Sequence, residues 1–225
     1  MQTIDLEKQD LRSLNATLHE QNYETNQTEW QVLNPEGQHA IAVGLDAPIE
    51  VTIKGSTGYY TAGMNKQATV RIDGSVGPGV AENMMSGTVI VEGDASQNAG
   101  ATANGGLLII KGNASARVGI SMKGVDIVVF GNIGHMSGFM GQSGNVVVLG
   151  DAGEALGDSC YEARFFVRGK VKGLGADCIE KEMRPEHIEF LKEILERTGA
   201  PAKPEEFKRY GSARNLYNFD IDNAY

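Results

Sequence analysis

The chain contains only two cysteines, Cys160 and Cys178, in 225 residues. Two thiols do not make a disulfide scaffold, and the expectation is a reduced, soluble, cytoplasmic protein. A basic surplus is also missing. Lys and Arg number 20 against 29 Asp and Glu, giving a formal charge of −9 and a pI near 5.0. Nucleic acids and anionic membranes are met by clustered Lys and Arg, so this balance argues against both as partners. No apolar run is long enough to span a bilayer. The start, "MQTIDLEKQD", has no basic-then-apolar signal pattern. The four histidines, His19, His39, His135 and His187, are scattered and lack zinc-ligand spacing.

What the chain has is glycine, 29 residues of it, and a 41% hydrophobic content sufficient for a packed core. The glycines are ordered. "VRIDGSV", "VIVEGDA" and "LIIKGNA" share one pattern, and its glycine recurs at Gly55, Gly74, Gly93, Gly112, Gly131, Gly150 and Gly169. Every step is 19 residues, without insertion or deletion. A fixed period in this range means one structural unit stacked on itself. Nineteen residues are too few for a strand, a helix and two connections, but they suit one coil of short strands and tight corners. The fold expected is all-β: a right-handed parallel β-helix of about seven 19-residue coils, with helical caps at both ends. Right-handedness is the default for parallel crossovers rather than a result of the spacing.

The columns of the repeat assign its faces. Val51, Val70, Val89, Leu108, Ile127, Val146 and Phe165 form one apolar column. Two residues on, Ile53, Ile72, Val91, Ile110, Val129, Val148 and Val167 form another. With period two, both face inward. A third, smaller column, from Thr57 and Val76 to Ala152 and Val171, is placed inside after the corner. The seven glycines sit between, followed by Ser56, Ser75, Asp94, Asn113, Asn132, Asp151 and Lys170. Glycine is expected here for a positive φ, and the polar residues for bonding to nearby backbone. A second corner is expected at Ala62, Ala81, Gly100, Gly119, Gly138, Gly157 and Ala176, where a larger side chain would collide with the next coil. Adjacent strands about 4.8 Å apart make seven coils rise roughly 30 Å. Aliphatic side chains fill the interior and leave no room for a ligand.

One outward column changes character along the stack. It begins Thr52, Arg71 and ends Val147, Phe166. Ile109, Val128, Phe130, Val147, Leu149 and Phe166 therefore form an apolar patch outside the later coils, and something must cover it. Two occupants are open. One is a partner protein, which makes these six residues a possible interface. The other is the chain's own tail, where "RPEHIEFLKEILERTG" reads as a helix from Pro185 to Gly199 with Ile188, Leu191, Ile194 and Leu195 on one face. The division expected is an N-terminal helix and cap over 1–40, the β-helix over 41–183, and a C-terminal helix and extended arm over 184–225. "LRSLNATLHE" gives Leu11, Leu14 and Leu18 helical spacing; residues 21–40 read as loop.

No catalytic template fits. Cys160 and Cys178 lie almost one coil apart and are expected to be near neighbours, but two thiols do not hold an iron–sulfur cluster. "GSVGPG" and "GNIGHMSG" suggest phosphate loops, yet the 19-residue period accounts for their glycines, and no helix follows them. Asp94, Asp151 and Asp158 read as single solvated turn carboxylates rather than Mg²⁺ ligands. The residues thus give no catalytic, cofactor or metal site, and describe a scaffold or interaction module.

These residues also resemble a known family. "GYYTAGMNKQATVRIDG", "GISMKGVDIVVFGNIGHMSGFMGQSGNVVVLGDAGEALGDS" and "LGADC", within roughly Asn34 to Met183, are similar to the GXGXG domain that ends the large subunit of glutamate synthase. The N-terminal "LRSLNATLHE" and "LNPEGQHAIAVGLDAPI" make the chain look like the free-standing version of that domain, the middle-sized, β-helical component of N-methylglutamate synthase. A more distant resemblance is to the β-helical component of formylmethanofuran dehydrogenase. The resemblance implies a right-handed β-helix and a non-catalytic place in a hetero-oligomer. A class II amidotransferase-like subunit and an FMN- and iron–sulfur-binding synthase subunit would flank it. The family's nucleophile, an N-terminal cysteine, has no match in Met1-Gln2, and its cluster cysteines and flavin barrel are absent too. A stand-alone solenoid that assembles with itself is the alternative from another class.

Overall fold

A computed structural model describes residues 1–215 of the chain. Over these residues the architecture is all-β, a parallel β-solenoid of about seven turns with two α-helices, consistent with a right-handed β-helix. One 11-stranded sheet forms its principal wall. Its strands are β1 (Gln2–Asp5), β2 (Glu29–Leu33), β3 (Glu50–Lys54), β4 (Thr69–Ile72), β5 (Thr88–Val91) and β6 (Leu107–Ile110), followed by β7 (Lys123–Val129), β8 (Ser143–Val148), β9 (Arg164–Val167), β10 (Cys178–Lys181) and β11 (Lys208–Ser212). Their spatial order follows the chain until β11 enters between β9 and β10.

From β3 to β9 the pairing register is the 19-residue step itself. Val51 faces Val70, Val70 faces Val89, and so on to Val146 and Phe165. Both inward columns are buried, and they interdigitate in one continuous core. After the corner a second parallel ladder of single bridges links Thr57, Val76, Ala95, Ala114, Ile133, Ala152 and Val171. The small third column is therefore a second wall.

The glycine corner forms where expected, but for another reason. Of its seven glycines only Gly55 has a positive φ, at 133°. The rest are selected by stacking. From Gly93 to Gly169 each glycine N–H donates to the glycine carbonyl one coil before it, at 3.0 Å for Gly93 to Gly74 and 2.9 Å for Gly131 to Gly112. A Cβ on Gly74 would lie 2.6 Å from the Gly55 carbonyl carbon. The coils approach too closely there for any side chain.

Positive φ belongs to a third wall. Tyr60, Ala62 and Met64 all have φ between 54° and 60°, and the pattern recurs at Gly79, Ala81 and Asn83, then at Asn98, Gly100 and Thr102. It continues through 117/119/121, 136/138/140 and 155/157/159. Alternate residues are left-handed, so successive amides point to opposite neighbours. Asn98 N–H donates forward to Ala116 O, Gly100 back to Val80 O, and Thr102 forward to Ile120 O. Each left-handed L-residue costs about 1–2 kcal/mol, and these inter-coil bonds satisfy the backbone that adopts it. At the middle position a Cβ on Gly138 would strike the Phe165 ring, and one on Gly157 would lie 2.8 Å from Cys178 Sγ. The expected collision is with core side chains. The column does not reach Ala176. The last coil is one residue short, bridging Leu156 to Leu174, and Asp177 takes the positive φ.

The ends differ more from expectation. Helix α1 (Leu11–His19) is capped by Asp10, whose side chain accepts Ser13 N–H at 2.7 Å, and buries Leu14 and Leu18 in the first coil. Residues 29–33, read as loop, are strand β2, paired in parallel with β3 so that Trp30 meets Val51 and Val32 meets Ile53. That step is 21 residues, which hides β2 from a search at 19. Strand β1 then adds outside β2. After helix α2 (Pro185–Thr198) and a 3₁₀ turn at Pro204–Glu206, part of the expected arm becomes β11, antiparallel to both β9 and β10. The remainder of that arm, 216–225, lies outside the described residues.

Candidate functional site

Among the described residues the two inward columns pack the interior, and three exterior surfaces stand out. The first is the sheet's outer face. Ile109, Val128, Val147, Leu149 and Phe166 are buried there and Phe130 partly so, beneath Leu191, Ile194 and Leu195 of α2. Of the two possible occupants, the structure shows the chain's own helix. Phe166 packs against the Phe190 ring at 5.5 Å between centroids. Lys111 fixes the helix end: its Nζ donates to Thr198 O at 2.9 Å and lies 3.8 Å from the Phe130 ring centre. Burial pushes its pKa down. The six residues expected at an interface are thus brought together, under a cover that a partner would have to displace to touch them.

The second surface is the left-handed wall. Its outward residues stack coil on coil: Thr102 Oγ1 donates to Asn83 Oδ1, 19 residues earlier, at 2.7 Å. The five six-residue segments 59–64, 78–83, 97–102, 116–121 and 135–140 contain two charged residues, Glu82 and Arg117, in a chain that is 22% charged. Tyr60, Met64 and Met140 stand exposed on this wall at 48%, 53% and 41%. His39 stacks on Tyr59 with centroids 3.5 Å apart at its first coil. In the sequence this column shows as small residues, and its lack of charge emerges only when neighbouring coils are set side by side.

The third surface is a concavity of about 390 Å³ at the C-terminal end, where β9, β10, β11 and the start of α2 converge. Its lining carries Arg164, Lys181, Arg184, Arg209 and Arg214 against one carboxylate, Glu162. Sequence reading did not find it. These residues span fifty positions and meet only because β11 folds back.

Several other polar groups hold the fold together. Asn15 bridges α1 to the first coil, donating to Ala40 O at 2.9 Å and accepting from Ala42 N at 3.0 Å. His19 Nε2 lies 2.7 Å from Val43 O, and His187 Nδ1 accepts the Arg184 amide at 3.0 Å. His135 is exposed on its corner. Cys160 and Cys178 are free, buried thiols that hydrogen-bond to each other; this bond and burial push the Cys178 thiol far up, so it holds its proton. Among the described residues no group of three His, Cys, Asp or Glu is placed to hold a metal ion. None of their helices is long and apolar enough to cross a membrane.

Comparison with known proteins finds a full-length relative. Protein GlxC of Rhizobium meliloti (strain 1021) is 66% identical over 225 residues, covering 100% of this chain and 99% of the relative. No family model matches the chain. No solved structure matches it.

Proposed function

We propose, for a chain that belongs to the GlxC family, a non-catalytic scaffolding role in a multi-subunit, glutamate synthase-like enzyme. The GlxC name is consistent with a glutamate synthase-related subunit. The specific reaction in this reading is that of N-methylglutamate synthase: glutamate and methylamine give N-methylglutamate and ammonia. A class II amidotransferase-like subunit and an FMN- and iron–sulfur-binding subunit flank the solenoid, and the catalytic groups reside in them. The cytoplasm is the compartment.

The observation that carries this reading is the left-handed wall. A solvated wall has no use for exposed Tyr60, Met64 and Met140 in a strip nearly free of charge, whereas protein interfaces concentrate aromatic residues and Met and exclude charge at their centres. A stacked solenoid offers such a strip as a rigid ruler along its length. The test is co-expression with the products of the neighbouring genes. The expected result is one co-eluting, active hetero-oligomer, weakened by Met64→Asp or Met140→Asp. A complete active complex that elutes without this chain refutes the scaffolding role.

A further inference from the structure

The cavity beneath β11 is independent of the scaffolding role. The antiparallel register sets Lys181 directly opposite Arg209. Like charges in that position repel and disfavour the pairing. Arg184 and Arg164 bring two more guanidinium groups to the same 390 Å³ space. The one acid in the lining, Glu162, is occupied by Arg214, which donates to both its oxygens at 2.7 and 2.9 Å. Other cations are held by neutral groups or at long range. Lys181 Nζ donates to Ser212 O at 2.8 Å, Arg209 Nε to Glu182 O at 3.0 Å, and Arg184 lies 4.0 Å from Glu186. Burial lowers the Arg209 pKa, and Arg184 and Arg164 lower it further, with Glu186 and Glu182 opposing them only in part. This happens on a chain of net charge −9.

His187 also lines the cavity. Its Nδ1 accepts a backbone N–H, so the neutral ring carries its proton on Nε2. The rest of the uncharged lining is Tyr161 and three small residues, Ala163, Gly211 and Ser212, which leave volume rather than fill it. Guanidinium forks match paired oxygens of carboxylate or phosphate, and a concave cluster holds a compact anion better than an extended one.

We propose that this cavity is a binding site for a small dianion, a dicarboxylate or a phosphate, that pairs with Arg164, Lys181 and Arg209 together. The experiment is isothermal titration of the purified full chain with succinate, with inorganic phosphate and with uncharged succinamide, at low and high salt. The expected result is saturable one-site binding of succinate or phosphate, weakened by salt, with succinamide silent. Whichever of the two binds more tightly identifies the oxygen chemistry. Arg164→Ala and Lys181→Ala should each weaken binding at least tenfold with an unchanged melting curve, and Lys192→Ala on the outer side of α2 should leave it intact. Absence of saturable binding by either dianion up to about 10 mM, tenfold weaker than a millimolar Kd, overturns the proposal. So does binding that survives the Arg164→Ala/Lys181→Ala double variant. Loss of complex assembly in that double variant, with no dianion binding to the parent chain, assigns the cavity to an acidic protein partner and also overturns it.

Discussion

The carboxylate of Asp94 accepts the backbone N–H of Asn113 at 2.7 Å, one coil further along the chain. Asn113 serves Asn132 at 2.9 Å, and Asn132 serves Asp151 at 2.7 Å. The polar column beside the glycines is therefore a ladder between coils rather than a set of local turns. Asp94→Ala removes one rung and should cost about 1 kcal/mol. Asp94→Asn keeps the accepting oxygen and should be nearly neutral. Urea unfolding midpoints of the two variants check this.

The glycine stack predicts a harsher result. At Gly112 a Cβ would lie 2.7 Å from Gly93 O and closer still to the Asp94 carboxylate. Gly112→Val forces the coils apart and should cost more than about 3 kcal/mol, the upper range of ordinary overpacking. Gly199→Ala, where a Cβ meets nothing within 4 Å, strains only the left-handed cap at φ 65° and should cost less. Thermal melts of both separate crowding from conformation.

Val128 is fully buried under α2, within a cluster containing Leu191 and Phe166. Val128→Asp places an unpaired carboxylate there and should make the isolated chain insoluble, before any partner is added. Leu191→Ala should cost about 2–5 kcal/mol. Soluble yield and denaturant midpoint of the lone chain are the measurements.

Asp126 gives the pH prediction. Burial raises its pKa, partly opposed by Asn145, whose Nδ2 donates to it at 2.7 Å. A carboxyl with a raised folded pKa binds its proton more tightly when folded, so its ionisation opposes folding. Its contribution should become less favourable as pH rises from near 3.8 through the raised value, and be fully unfavourable at neutral pH. Asp126→Asn should flatten that part of the stability–pH curve and raise stability at pH 7. Melting temperatures from pH 3.5 to 8 for both proteins test the sign.

The columns of Val51 and Ile53 were legible because a solenoid writes its geometry as a period, and burial on a pleated wall follows period two. The fate of the apolar patch was legible only as a choice of covers, and the tail helix fills it. Three features were not legible. Strand β2 hid behind a 21-residue step, though the alternation in "EWQVL" carried the signal. The left-handed conformation of the second corner was not legible, because Gly100, Gly119, Gly138 and Gly157 read only as a place for small side chains, and Tyr60, Ala62 and Met64 are not residues that favour positive φ; hydrogen bonds between coils impose it. The basic cavity depends on β11 pairing antiparallel to β9, a tertiary event that no local pattern announces.

The scaffolding role rests on the charge-poor wall meeting other subunits. Hydrogen–deuterium exchange of the chain, alone and within the complex purified with its neighbouring gene products, measures this directly. The predicted result is added protection concentrated in 59–64, 78–83, 97–102, 116–121 and 135–140. Unchanged exchange across all five segments, with new protection elsewhere or nowhere, would contradict it.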